Sequence, residues 1–324
     1  MAKKSAKSSS AGTSVKPTLI EIESVAQYIE TVQEIAAEED QAVWLRGVSK
    51  ASHRLLPSVL RNTVPHMSAR GELLRGNEIV TAGGSIDTGI SPERMLDDFK
   101  RRAVPFLDSI PRNDFEWLFL MQHHGVPTRL LDWTTNALVA LFFAVDGVKL
   151  DPDADRDVAA TLEPGELNEF DAHASAIYLI NQCKVNGELQ VDIAEPIDIA
   201  ANYKHWKSFA RPMDGSSGLD VYAPICIVAP QISPRIRAQS GLFTLHGSNL
   251  EPIDHYVVVR PLITKFLIPH PTAVRIRSDL HLLGITPSFI YPGLDGVAKD
   301  VTESAQRNFD SDRRKHSTKH VRRK

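Results

Sequence analysis

Cysteine is scarce in this 324-residue chain: Cys183 and Cys226 are the only two, far apart and in no C-x-x-C pattern. That excludes a disulfide scaffold, argues against a cysteine-based zinc site and fits a reducing compartment. Long apolar runs are missing as well. The longest, ALVALFFAV from Ala137 to Val145, falls well short of the ~20 residues that span a bilayer, and the opening MAKKSAKSSSAGTSV has no apolar core for secretion. A cytoplasmic protein without membrane contact is expected. Three common fingerprints are also lacking: no G-x-G-x-x-G follows a strand-like run, no G-x-x-x-x-G-K-[ST] occurs, and there is no G-x-S-x-G. Dinucleotide-binding and P-loop folds and the nucleophile-elbow hydrolases are therefore disfavoured.

What is present is an ordinary globular composition, 42% hydrophobic and 24% charged, enough for one large domain or two modest ones. The net charge of -3 hides basic ends around an interior with acidic stretches. Residues 1–18 and 310–324 read as flexible basic tails, and the second, DRRKHSTKHVRRK, offers a weak case for nucleic-acid contact. Residues 19–309 read as a single domain, with 146–173 an acidic, proline-punctuated surface insertion.

Helical spacing runs through TLIEIESVAQYIETVQEIAAEED, and AVWLRG reads as a strand that delivers Arg46 at its end. SARGELLRGNEIV has a helical option, whereas TAGGSIDTGISPE is loop chemistry. Helices follow at ERMLDDFKRRAVPFL and RNDFEWLFLMQHH, the second capped by Asn113 or Asp114 and stopped by Gly125 and Pro127. NALVALFFAV is apolar on every side and must be a buried helix, with Thr134 or Thr135 as its cap. Strand-like runs come later, at SAIYLI, ICIVA, HYVVVR and TKFLI, before two closing helices at TAVRIRSDLHLLG and DGVAKDVTESAQRNF. The expected class is α+β, a helix-rich first half packed on a mainly antiparallel sheet from the second half.

Between two of the most hydrophobic segments sits QHHGVPTRLLDW, Gln122 to Trp133, expected as a rigid turn fixed by Gly125 and Pro127. Polar groups so placed are either a satisfied network or a binding site. Adjacent helical residues point about 100° apart, so His123 and His124 make a poor metal pair, and no metal is expected. Arg129 and Asp132 lie close enough in sequence to pair, and the structural alternative is a buried ion pair that locks two helices together. A second polar concentration, RIRAQSGLFTLHG, places Gln239, Ser240 and Thr244 around Leu242 and Phe243, as strand-edge packing or a lined pocket.

WLRG at Trp44 to Gly47, followed by MQHHGVPTRLLDWTTNALVALFFAV, resembles the FRG domain family, with Leu45 where that family usually has phenylalanine. RIRAQSGLFTLHG and FIYPGLDGVAKDV are similar to the family's later segments, so the likeness spans roughly Glu21 to Val301. The resemblance implies a bacterial or phage-associated domain, with a role in conflict or defence, and a fold loosely similar to that of ADP-ribosyltransferases. By that likeness Arg46 would grip a phosphate or ribose of NAD, and Ser240 or Thr244 would occupy the later strand. Two functions follow. In one, Arg46, His123 and Asp132 are catalytic, and Gln122, Thr128, Arg129, Trp133, Gln239, Ser240 and Thr244 hold a nucleotide, with NAD a substrate and no cofactor required. In the other, the same pocket recognises a small molecule or a protein partner without turning it over.

Overall fold

Among the described residues, short β-branched and aromatic runs supply ten strands: β1 (Thr18–Glu21), β2 (Trp44–Val48), β3 (His66–Met67), β4 (Leu73–Leu74), β5 (Leu130–Thr134), β6 (Ser175–Ile180), β7 (Ile197–Asp198), β8 (Ile225–Val228), β9 (Gly241–Leu245) and β10 (Ile263–Ile268). The computed structural model describes residues 17–39, 43–61, 66–67, 73–74, 91–146, 148, 174–189, 195–199, 203–212, 221–228, 234–249 and 251–321. Eight strands form one sheet in the order β1-β10-β6-β2-β5-β9-β8-β7, and β3 pairs with β4. Only the two edge pairings of the large sheet, β1 with β10 and β7 with β8, are parallel, so it is a mainly antiparallel sheet in an α+β fold. Its two central strands, β2 and β5, come from the first half of the chain rather than the second.

One face of the sheet is covered by two helical groups. The helices Val25–Glu39, Ala137–Val145 and His270–Leu282 bury Leu45, Ile177, Leu179 and Phe266 on the β10-β6-β2 side. Helices Pro92–Ala103 and Asp114–His123 bury Leu130, Phe243, Leu245 and Ile227 on the β5-β9-β8 side. The opposite face packs Trp44, Leu131, Trp133, Tyr178 and Ile263 into a third cluster. Alternation along each strand accounts for this division: in β5, Leu130 belongs to one cluster and Leu131 and Trp133 to another.

Close approach decides the Arg-Gly step of β2. A Cβ on Gly47 would lie 2.0 Å from the Ala140 carbonyl oxygen and 2.6 Å from the Ala144 nitrogen, so the Ala137–Val145 helix seats on β2 only because that residue is glycine.

Several local expectations need correction. The first helical run divides into β1 and the helix Val25–Glu39, whose start is satisfied by Ser24 Oγ accepting from the Gln27 amide at 3.2 Å. Strand structure thus begins at Thr18, inside the segment expected as a tail; residues 1–16 lie outside the described residues. Asn136, not Thr134 or Thr135, caps the buried helix, its Oδ1 accepting from Leu138 and Val139. HYVVVR is not a strand but a pair of tight turns, Ile253–His255 and Arg260–Leu262, bracketed by Pro252 and Pro261. Prolines at both ends remove ladder donors, and the Asp254 carboxylate instead takes the Leu55 amide at 3.1 Å and Arg54 Nε at 2.9 Å. Leu73 and Leu74, expected within a helical option, pair as a strand with His66 and Met67. The last helix runs from Leu294 to Val321, so the backbone of 310–321 is helical where an unstructured arm was expected. The loop reading at TAGGSIDTGISPE falls mostly outside the described residues, as does the acidic insertion apart from Asp146 and Val148.

Candidate functional site

The polar dodecamer is not one turn. The Asp114–His123 helix ends at His124, Gly125 takes a left-handed φ of 75°, and the amides of Gly125 and Val126 return to the carbonyls of Gln122 and Met121. That is a Schellman stop, and it sends the chain straight into β5. QHHGVPTRLLDW was expected as a rigid turn; its last residues, with Thr134, instead form the central strand β5, because Leu130, Leu131 and Trp133 have apolar clusters waiting on both sheet faces.

β2 and β5 are neighbours, yet the single pair Leu45↔Thr134 joins them. Beside that pair, Arg46 Nη1 donates to the Asp132 main-chain carbonyl at 2.7 Å, a side chain bridging the seam where the main-chain ladder stops. A cavity of about 330 Å³ lies at this seam, lined by Arg46, His53, Arg61, Gln122, His123, Asp132, Trp133, Arg235 and Gln239 among others. Its size falls in the small-molecule range.

The Asp132 carboxylate is the most exposed part of the network, with its side chain 56% accessible. Gln122 Nε2 donates to both of its oxygens, at 3.0 and 2.9 Å, and Thr128 Oγ1 donates to Gln122 Oε1 at 2.6 Å while accepting from the Leu130 amide at 3.0 Å. Thr128 therefore fixes the amide orientation of Gln122, and Gln122 fixes Asp132. Arg46 adds a longer ionic contact, Nη1 to Oδ2 at 3.8 Å. Burial lowers the Arg46 pKa, the charge of Asp132 opposes that, and Arg61 reinforces it. Arg46 Nε is buried without a hydrogen-bond partner among the described residues.

His123 is held neutral: burial lowers its pKa, with His124 and Arg235 adding to the effect, and its Nδ1 is buried and unpartnered among the described residues. His53 is shifted the same way by burial and then by Arg61, Lys50 and Arg46. Arg235 lies over the Tyr291 ring at 4.9 Å from its centroid. Three guanidinium groups thus meet a single carboxylate in the cavity wall.

Of the residues expected at a site, Arg46, Gln122, His123, Asp132, Trp133 and Gln239 line the cavity, and four do not. Thr128 is buried one step behind Gln122. Thr244 is buried and accepts from Trp133 Nε1 at 3.1 Å. Ser240 makes the corner before β9 with φ 46°. Arg129 does not pair with Asp132: it is buried, and its guanidinium donates to the carbonyls of His246, Phe209 and Ala210. A buried arginine whose terminal nitrogens are spent on main-chain acceptors is out of a ligand's reach, and burial brings its pKa down to about 10, with Glu93 opposing. His53, Arg61 and Arg235 were missed. Arg235 stood inside the RIRAQSGLFTLHG segment already singled out, where attention went to the hydroxyl and amide groups, and His53 and Arg61 follow the Arg-Gly step within fifteen residues.

The family model of the FRG domain matches residues 41–152, which include Arg46, the Schellman stop and all of β5. The chain carries an FRG domain. Most of the cavity wall, from Arg46 to Phe143, lies inside the FRG match, while Arg235, Gln239 and β9 lie outside it. Neither a curated protein nor a solved structure matches the chain. None of the described helices is long and apolar enough to cross a membrane, and among the described residues no three metal-ligating side chains group together.

Proposed function

We propose that the cavity binds a phosphate-bearing nucleotide and cleaves its glycosidic bond, with NAD as substrate and hydrolysis or ADP-ribosyl transfer as outcome. The observation that carries this reading is the convergence of Arg46, Arg61 and Arg235 on one cavity in which Asp132, the one carboxylate among the described lining residues, is held rigid and exposed. Guanidinium forks suit phosphate oxygens, and a fixed carboxylate suits positive charge developing on a ribose ring. In the reaction the bond between ribose C1′ and nicotinamide nitrogen breaks, and its electron pair leaves with the nicotinamide. A water or acceptor hydroxyl then bonds to C1′ and gives its proton to the neutral His123 imidazole, which lines the cavity. Trp133 and Phe143 supply apolar wall against which a ring can pack.

The test is nicotinamide release from NAD by the purified protein, compared with Asp132→Asn. Asp132→Asn should lower turnover by about 100-fold, in the range for loss of one preorganised electrostatic group, with little change in melting temperature because the side chain is largely exposed. Absence of both NAD binding and nicotinamide release from the unmodified protein would reject the proposal.

A further inference from the structure

We infer that the cavity carries two separate anion-binding poles, one at Arg46, Arg61 and His53 and the other at Arg235 beside His123, so that two anionic groups are held on opposite sides of Asp132. The inference rests on the reading above only in naming the first pole as the seat of the nucleotide phosphates. Its geometry is independent of that.

The first pole belongs to β2 and the segment that follows it. Arg46 lies on β2, and His53 and Arg61 come within the next fifteen residues. Arg61 Nε is tied to the Leu56 carbonyl at 3.1 Å, which holds the guanidinium in place, and among the described residues its terminal nitrogens have no further hydrogen bond. The second pole comes from the other side of the cavity. Arg235 sits on the short helix Pro234–Ala238 that leads into β9, and His123 ends the helix that packs Phe119 on Phe243 of β9 at 5.3 Å. β5, carrying Asp132, stands between β2 and β9 in the sheet, and Asp132 pairs directly with Phe243. Two strand spacings, roughly 10 Å, separate β2 from β9. Each pole is therefore presented from its own side of β5.

Local electrostatics follow the same division. His53 feels Arg61, Lys50 and Arg46, whereas His123 feels His124 and Arg235. Arg235 has no carboxylate partner among the described residues; the Tyr291 ring orients it without neutralising it. A cation so held, beside a neutral imidazole that lines the same cavity, fits an anionic molecule that also carries a hydroxyl. In the proposed transfer that molecule is the acceptor: its anion rests on Arg235 and its hydroxyl proton goes to His123.

The poles can be read separately because each contains a histidine. Imidazole proton resonances of the full-length protein, assigned with His53→Gln and His123→Gln, are followed at fixed pH while inorganic phosphate is titrated. Both histidines should respond. Arg61→Gln should weaken the His53 response at least 10-fold and spare that of His123, and Arg235→Gln should do the reverse, with Arg235→Lys intermediate. Adding ADP-ribose should saturate the His53 response while phosphate still shifts His123 with an affinity within about 3-fold of the original. Failure of either histidine to respond, or loss of both responses in either arginine variant, overturns the two-pole inference. If phosphate behaves as expected but ADP-ribose leaves His53 unmoved, the nucleotide reading fails and the two poles stand.

Discussion

Lowering the pH from 7 to 5 should weaken this fold through His246. The residue follows β9, is 0% exposed, and neither ring nitrogen has a hydrogen-bond partner among the described residues. Burial, with the Arg129 charge beside it, pushes its pKa from 6.5 down to about 3. The sign follows from where the proton binds. Above pH 6.5 the ring is neutral in both states and contributes nothing; below it the unfolded chain takes up a proton that the folded chain refuses, so stability falls with pH until about pH 3. Each pH unit in that window is worth 1.36 kcal/mol at most, so the drop from pH 7 to 5 is about 2 kcal/mol. His53 and His123, also depressed, add loss of the same sign. Urea denaturation at pH 7 and pH 5, on the unmodified protein and on His246→Leu, isolates the term. His246→Leu should remove about 2 kcal/mol of the acid loss and, having no buried nitrogens to leave unpaired, should be no less stable at pH 7. An unchanged acid slope in His246→Leu would refute the assignment. A large loss at pH 7 would mean that the ring nitrogens are satisfied in the folded protein, and the argument from desolvation would fall with it.

Gly47→Ala should destabilise by about 3 kcal/mol, because its methyl would meet main-chain atoms of the Ala137–Val145 helix that cannot rotate away; chemical denaturation measures it, and a cost below about 1 kcal/mol would mean that the helix can shift off β2. Arg129→Met should cost about 3–5 kcal/mol by stranding three buried carbonyls, while leaving nucleotide affinity in the surviving folded protein within a few-fold of the original. A selective loss of ligand binding with stability intact would place Arg129 in the site after all.

How far the sequence disclosed this arrangement depends on which forces were local. The Asp114–His123 helix, its Asn113 cap and its glycine stop were legible because capping and left-handed turns are decided within a few residues. The strand at β2 and the buried helix at Ala137–Val145 were legible from branched and apolar composition. β5 was not, because LLDW carries one polar residue in an apolar run, and what makes it a strand is the pair of clusters on either face, built from residues scattered along the chain from Trp44 to Ile263. The same distance explains the misreading of Arg129. Three residues from Asp132, it has an obvious partner in sequence, but consecutive positions around β5 face different surroundings, and the carbonyls of Phe209, Ala210 and His246 claim it first.

Asp132 is then released from pairing with Arg129, and the structural duty at the site falls to Arg46. Its side chain is only 14% exposed and bridges β2 to β5 where their ladder ends. Its removal opens the seam as well as the ligand site. Arg61 and Arg235 carry no such duty: one is itself exposed and anchored through Nε on the Leu56 carbonyl, the other rests on an aromatic face. The residues that tell binding apart from folding are therefore these two, which a reading guided by the Arg-Gly motif passes over, and not the arginine that gives the motif its character.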